Sequence, residues 1–449
     1  MTMTIRPDLL ETYGAPVPRY TSYPTAPHFH GGIGASVYAN WLEALRPGAQ
    51  LSLYVHVPFC DTLCWFCGCN TKMVKRYDPV ARYLPSLMNE IATVATLVPE
   101  RHEITHIHWG GGSPNILAAD DILRLAETVM SQYRLAAGSA FAAEIDPREL
   151  RDDQIYAFVR AGLTRISIGV QDFDPRIQAA INRIQTLQET KRAVDLFREN
   201  CVESVNIDML YGLPHQTLRS IERTVQDVIS LAPDRIALFG YAHLPSRMRH
   251  QCMIDEAALP DIGERLELAR RAGDLLVNAG YVRIGLDHFA RPDDELALTR
   301  VRRNFQGYTT DTADTLIGFG ASAIGKLPRG YVQNAGSTPE YQRLMDAGGL
   351  ATVRGYQLTR EDEVRAFAIE RLMCDLEFPA LELVNRFGAE AAPVIGQAQD
   401  ILREESNGFI APSGNGFLVT EEGRPFLRAI CARFDSYLGG TDNRHSLGV

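Results

Sequence analysis

Four of the eight cysteines fall within ten residues, in the stretch Cys60-Asp-Thr-Leu-Cys64-Trp-Phe-Cys67-Gly-Cys69-Asn70. The spacing is C-x3-C-x2-C-x-C, and it directly follows an apolar, strand-like run, Leu51 to Val57. Pro58 has no amide hydrogen to give to a sheet, so a strand is expected to end there and a thiol-rich loop to begin. Disulfides, zinc or an iron–sulfur cluster could occupy such a loop. Disulfides belong to oxidising compartments, and Met1 to Leu10 reads unlike a signal peptide. Structural zinc usually takes C-x2-C pairs well apart in sequence, and the chain has no second pair. A four-iron cluster normally takes four thiolates. Three thiolates from C-x3-C-x2-C would leave one iron open to bind and activate a small molecule. The spacing therefore favours the cluster over zinc, and both over a purely structural set of thiols.

With 449 residues, 45% hydrophobic and 22% charged, the chain can bury a large core. The length suggests one large domain and a smaller one. A net charge of −10 gives nonspecific nucleic-acid binding no electrostatic support. No apolar run approaches the roughly 20 residues a bilayer span needs, so a cytoplasmic protein without membrane insertion is expected. Cys201, Cys252, Cys374 and Cys431 stand singly and read as small buried hydrophobes.

Apolar runs recur at Leu51–Val57, Ile104–Trp109, Ala140–Ile145, Thr164–Val170, Ser204–Leu210 and Arg235–Tyr241. Helical patterns lie between them, as at Ala81–Val98, Asp120–Tyr133, Leu187–Glu199 and Leu218–Leu231. This alternation predicts a parallel sheet with helices outside, which right-handed crossovers curl into a partial barrel. Pattern alone leaves open barrels and closed eightfold ones equally possible. Groups at the C-terminal strand ends are then the candidates for chemistry.

Those ends are polar. Gly110-Gly-Gly-Ser113-Pro114 follows the second run, and glycines let a ligand approach the backbone. Glu144 closes the third, where a carboxylate in an apolar strand needs a partner such as Arg148. Gln171 closes the fourth, with Arg183 on the helix beyond; Asp208 stands near the end of the fifth, and Ala242 follows the sixth. Singly, each has a bland reading as turn chemistry or a satisfied core group. The later run Gly318-Phe-Gly320-Ala-Ser-Ala-Ile324-Gly325 is not G-x-G-x-x-G, and a dinucleotide site is rejected.

The cysteine loop resembles the signature of radical S-adenosylmethionine enzymes. Tyr54-Val-His-Val-Pro-Phe-Cys60 through Cys67-Gly-Cys69-Asn70 is similar, within them, to the family of oxygen-independent coproporphyrinogen III oxidases, or coproporphyrinogen dehydrogenases. The likeness runs from about Tyr13 to Leu438. It implies an α/β fold: an incomplete (β/α)6 barrel over 51–350, an N-terminal arm over 1–50 and a mostly helical, winged-helix-like domain over 351–449. It implies that Cys60, Cys64 and Cys67 hold a [4Fe-4S] cluster, and that Cys69 takes part in catalysis without binding iron. One or two molecules of S-adenosylmethionine would be held by Tyr54, Phe66, Gly111, Gly112, Ser113, Glu144, Gln171, Arg183, Asp208, Ala242 and Ile324. Ser113 stands where relatives often carry threonine, and the hydroxyl is kept. The reaction implied belongs to haem synthesis. A 5′-deoxyadenosyl radical takes hydrogen from a propionate β-carbon, carbon dioxide and an electron are lost, and two propionates become vinyl groups, giving protoporphyrinogen IX.

Pro18-Arg19-Tyr-Thr-Ser-Tyr-Pro24-Thr-Ala matches the same family and predicts an extended strap acting as a lid. The strings around His288 and Arg291 and at Arg303-Asn-Phe-Gln-Gly-Tyr308 read as polar-aromatic loops. Arg19, His288 and Arg291 are the candidates to meet propionates of coproporphyrinogen III. Past Leu358, Thr359 should cap a helix and Gly408 to Thr420 should form a hairpin. Acidic charge sets DNA binding aside in favour of a cover over the barrel, and 439–449 reads as a frayed tail. A monomer with an unidentified electron donor and acceptor is expected. Two rivals are a haem-binding chaperone of the same superfamily and a zinc-stabilised binding protein. Cys69, the arm and the Asn304–Tyr308 string oppose the chaperone.

Overall fold

The computed structural model describes residues 13–99 and 102–438. The readings of Met1–Leu10 and of 439–449 lie outside them. Six strands follow one another in parallel: β1 (Gln50–Val57), β2 (Glu103–Gly111), β3 (Arg134–Ile145), β4 (Arg165–Gln171), β5 (Ser204–Tyr211) and β6 (Arg235–Gly240). Helices Asp78–Leu97, Ala119–Gln132, Asp152–Arg160, Leu187–Glu199 and Leu218–Ser230 return the chain between them.

Side chains alternate across these strands. Leu53, Val55, Ile107, Trp109, Ala143, Ile166, Ile168, Ile207 and Met209 are buried in one core with the outer helices. The opposite face carries Tyr54, His108 and Glu144, joined between neighbouring strands, and beyond them Ser167, Asn206 and Asp208, joined likewise. Ser167 Oγ and Asn206 Nδ2 both donate to Asp208 (3.1 and 2.8 Å), and the Tyr54 ring stacks on His108. The barrel interior is therefore polar.

Beyond the six expected strands the sheet reaches twelve. β7 (Val282–Ile284) and β8 (His288–Ala290) extend it past β6, and β11 (Thr315–Phe319) runs parallel to β1 on the other side. β12 (Ile324–Leu327), β13 (Gly330–Asn334) and β14 (Thr352–Gln357) continue from β11 antiparallel. A separate ribbon joins β9 (Arg302–Asn304) to β10 (Gly307–Thr309). The outermost strands β14 and β7 do not pair with each other, so the barrel stays open. Residues 281–335 thus hold short strands where loops were expected, because three-residue strands of Arg, Asn, Gly and Tyr show no apolar period. The Gly318–Gly325 segment turns between antiparallel strands, with none of the strand–helix context of a dinucleotide site.

Helices Arg360–Asp375, Ala380–Phe387, Ala392–Glu404 and Leu427–Ala432 pack with the hairpin β15 (Ile410–Ser413) and β16 (Gly416–Val419). Thr359 caps the first reciprocally: Asp362 N donates to Thr359 Oγ1 (3.1 Å) and Thr359 N to Asp362 Oδ2 (2.9 Å). This unit has its own core, around Leu372, Leu383, Phe409, Phe417 and Phe434, which also takes in Tyr20 and Tyr23 of the arm. Tyr20 donates to Asp435 Oδ2 (3.0 Å). Cys374 and Cys431 are buried as expected, but Cys201 and Cys252 are exposed. Among the described residues no helix is long and apolar enough to cross a membrane.

Candidate active site

The cysteine loop leaves the C-terminal end of β1 and closes on itself. Lys72 N donates to Pro58 O (2.9 Å) and Val74 N to Cys60 O (3.0 Å), pinning the loop at its base. Around the rim, other elements hold its carbonyls. Asn182 Nδ2 donates to Leu63 O (2.9 Å), His250 Nε2 to Cys67 O (2.7 Å) and Gln251 Nε2 to Phe66 O (3.0 Å). The same Gln251 amide reaches Ala242 O (3.1 Å), which ties the cysteine loop to the end of β6.

Each of the first three sulfurs has donors aimed at it. Thr71 Oγ1 lies 3.2 Å and Ser113 Oγ 3.8 Å from Cys60 Sγ. Arg148 Nη2 and Arg183 Nη1 both stand 3.5 Å from Cys64 Sγ, and Cys69 N donates to Cys67 Sγ at 3.4 Å. Burial pushes the Cys60 thiol up to about 11, against the pull of Thr71 and Ser113. Hydrogen bonding from Cys69 brings Cys67 down to about 7. Cys69 itself is exposed at the mouth.

The glycine run lies against this loop. Ser113 N donates to Phe59 O (2.8 Å), and a Cβ on Gly112 would stand 2.3 Å from that same carbonyl. Gly111 has φ +112°, and its N–H donates to Glu144 Oε2 (3.1 Å). His108 Nε2 donates to the other oxygen, Oε1 (3.3 Å). Burial alone would raise the Glu144 pKa; the hydrogen bond and charge of His108 and the Gly111 amide outweigh it, and the carboxyl is held below its usual range. Arg148 is not its partner, as the sequence suggested, but grips Asp146 (2.5 Å). Asp208 is pushed up by burial and then by the Glu144 charge.

Arg183 is 8% exposed. It meets Asp146 Oδ2 (3.3 Å) and donates to Gly169 O (2.6 Å), while its Nε is buried without a partner. Gln171 adopts φ +70° at the end of β4. Ile324 begins β12, next to the β11 strand that pairs Gly318 with Tyr54. Tyr54, Phe66, Gly111–Ser113, Glu144, Gln171, Arg183, Asp208 and Ala242 thus come together on the lumen and its mouth.

The substrate candidates separate. Arg19 donates to Gly240 O (2.9 Å), at the mouth. His288 lies against Phe239 and Tyr308 in the interior and bonds Asp287 (2.8 Å). Arg291 does not join them. Strand β8 runs antiparallel to β6, so Arg291 emerges beside Asp234, at the far end of β6 from the cysteine loop. Sequence reasoning missed His108, His250 and Gln251 as supports, since lone polar residues carry no pattern. Asp146 had a signal, the adjacent Arg148.

Among the described residues no three His, Cys, Asp or Glu side chains converge on a single-ion position. The donors at each sulfur suit thiolates, and the orphaned Arg183 Nε offers a charged hydrogen bond to a ligand above Cys64.

The Radical SAM superfamily profile matches residues 54–228, and the HemN C-terminal domain profile matches 358–426. The chain is 45% identical over 450 residues to an oxygen-independent coproporphyrinogen III oxidase of Bradyrhizobium diazoefficiens, covering 99% of this chain and 100% of that one. It is 43% identical to that of Paracoccus denitrificans, covering 95% and 96%. The structure of coproporphyrinogen III oxidase (HemN) from Escherichia coli, described as a radical SAM enzyme, superposes with a TM-score of 0.89 at 37% identity, over 94% of this chain and 98% of that one. With whole-length likeness in both sequence and fold, the chain belongs to the oxygen-independent coproporphyrinogen III oxidase family of the radical SAM superfamily.

Proposed function

We infer that the chain oxidises coproporphyrinogen III without oxygen, converting two propionates to vinyl groups. The observation that carries this is the 45% identity to the Bradyrhizobium enzyme along 99% of the chain. When bound, the [4Fe-4S] cluster and S-adenosylmethionine supply a reducing electron and a hydrogen-abstracting carbon radical.

The chain's own residues hold, aim and shield. Cys60, Cys64 and Cys67 are proposed as the iron ligands. Gly111, Gly112, Ser113 and Glu144 are proposed to receive the polar end of S-adenosylmethionine beside them. Glu144, held ionised by His108 and the Gly111 amide, is fit to accept hydrogen bonds from an ammonium. Tyr54, Phe66, Gln171, Arg183, Asp208, Ala242 and Ile324 would bound the rest of the cofactor, with Cys69 at the mouth facing substrate. The same reading proposes a barrel over 51–350 between an arm and a helical cover, acting as a monomer with separate electron donor and acceptor. Equilibrium dialysis against the reconstituted protein counts whether one or two molecules of S-adenosylmethionine bind.

The deciding experiment is anaerobic turnover of reconstituted protein with a reductant, S-adenosylmethionine and coproporphyrinogen III, read by mass spectrometry. Loss of two carboxyl groups that depends on the cofactor supports the reading. Cofactor cleavage with an unchanged porphyrin overturns it and revives the chaperone.

A further inference from the structure

The mouth of the barrel holds more positive charge than the protein neutralises. Arg19 sits on the Gly240 carbonyl at the end of β6. Arg265 lies over the Tyr211 ring, 5.7 Å from its centroid, and donates to Tyr241 O (3.0 Å). Arg303 packs 4.5 Å from the Tyr308 ring centroid and donates to the backbone oxygen of Arg19 (3.4 Å). Arg428, behind them, donates to the backbone oxygens of Pro18 and Val17. Arg19, Arg303 and Arg428 repel one another and Arg265 repels Arg19, while Asp287 is the carboxylate that acts on Arg19, Arg303 and Arg428.

Asp287 does not satisfy the set. Its Oδ1 accepts from His288 Nδ1 (2.8 Å), and Arg303 Nη1 stays 3.9 Å away, beyond hydrogen-bond reach. Arg303 is only 5% exposed, yet its Nε and Nη1 have no hydrogen-bond partner, and neither does Arg265 Nε. Buried guanidinium N–H groups without acceptors are costly. Anchoring the arm explains Arg428 and one nitrogen of Arg303. It leaves three guanidinium nitrogens unexplained, Nε and Nη1 of Arg303 and Nε of Arg265. Arg19 holds the Gly240 carbonyl, and Gln251 ties Ala242 just beyond it to Phe66 of the cysteine loop, which puts this wall on the same mouth.

We propose that Arg303 and Arg265, together with Arg19, form a carboxylate receptor that binds a propionate of the tetrapyrrole and so aims the ring at the mouth. The inference rests on the reading of the substrate given above. A guanidinium fork matches a carboxylate through two parallel hydrogen bonds, which a tetracarboxylate can offer and a neutral ester cannot. These are positioning residues: they hold a propionate without touching the reacting carbon.

The test is anaerobic fluorescence titration of the reconstituted protein with coproporphyrin III, the stable oxidised tetracarboxylate, and with its tetramethyl ester. Wild-type protein should bind the acid about tenfold or more tighter than the ester, as for a lost charged hydrogen bond. Arg303→Gln should lose most of that preference, with ester binding, iron content and cluster absorbance unchanged; Arg303→Lys should fall between. In turnover, Arg303→Gln should raise KM more than it lowers kcat. If Arg303→Gln fails to assemble, Arg265→Gln and the wild-type acid–ester comparison decide the matter. Equal binding of acid and ester by wild-type protein, or unchanged acid binding by Arg303→Gln, overturns the receptor. Tight, Arg303-dependent acid binding without any decarboxylation would instead leave the receptor standing and overturn the assigned reaction.

Discussion

Arg183 Nη1 stands 3.5 Å from the sulfur of Cys64, while Nη2 of the same side chain donates to the Gly169 carbonyl at 2.6 Å. One guanidinium thus joins the cysteine loop to the end of β4. Its remaining nitrogen, Nε, is buried and unpartnered. If that nitrogen serves S-adenosylmethionine, Arg183→Gln should weaken cofactor binding about tenfold, the scale of one charged hydrogen bond of about 1.5 kcal/mol. The three cysteines remain, and Arg148 Nη2 still stands 3.5 Å from Cys64 Sγ, so iron per chain should stay near the wild-type level. Equilibrium dialysis with parallel iron analysis checks both, and wild-type affinity would remove Arg183 from the cofactor site.

Gly112 illustrates a position set by contact and not by chain freedom. A methyl there would lie 2.3 Å from the backbone oxygen of Phe59, the residue just before Cys60. Gly112→Ala should displace that backbone, cost about 1–3 kcal/mol in denaturant unfolding and reduce iron uptake. Gly396 is the control. It lies in the helix Ala392–Glu404 with nothing within 4 Å of an added methyl, so Gly396→Ala should be neutral or stabilising by about 0.5–1 kcal/mol. Equal losses in both variants would refute the contact argument.

The six parallel strands were legible because their outward residues, such as Leu53, Val55, Ile166 and Ile168, form apolar runs that hydrophobic patterning detects. The lumen was less so. Glu144 stood out as a carboxylate in an apolar strand, but its partner His108 comes from an adjacent strand, and only the register of β2 with β3 brings them together. Arg148 was the obvious neighbour in sequence and turned instead to Asp146 and Cys64. Arg291 parts from Arg19 and His288 for a topological reason: an antiparallel strand carries it beside Asp234, at the end of the barrel away from the cysteine loop. Arg303 lies within a string that reads as a polar-aromatic loop, yet its unpaired nitrogens exist only once Tyr308, Asp287 and Arg19 surround it.

The cysteines should divide into two classes. Cys60→Ser, Cys64→Ser and Cys67→Ser should each lose the cluster, read as iron, sulfide and visible absorbance after anaerobic reconstitution. Cys69→Ser should keep the cluster and lose turnover, because its thiol is exposed at the mouth and its contribution to Cys67 includes a backbone N–H that serine retains. Full iron in all three of the first variants would overturn the assignment of the ligands.

Glu90 gives a prediction for stability against pH. Its carboxylate is buried under β11–β13, accepting from Gly320 N (2.7 Å), Tyr341 OH (2.6 Å) and Asn334 Nδ2 (2.6 Å). Burial pushes its pKa from 4.5 to about 7 despite those three donors. The folded protein therefore binds a proton more tightly than the unfolded chain does. The resulting stability is fully present below pH 4.5 and is lost as pH rises through about 7, with a slope of at most about 1.4 kcal/mol per pH unit in that window. Asp172, raised to about 6 by burial, adds a slope of the same sign, so the informative quantity is a difference. Glu90→Gln removes the titration and replaces one acceptor oxygen by an NH2 facing donors. It should lower stability at every pH, while flattening the fall between pH 5 and 7 relative to wild type. Urea unfolding at several pH values measures this, and a variant whose slope equals that of wild type would mean that Glu90 stays ionised throughout, held by its three hydrogen bonds.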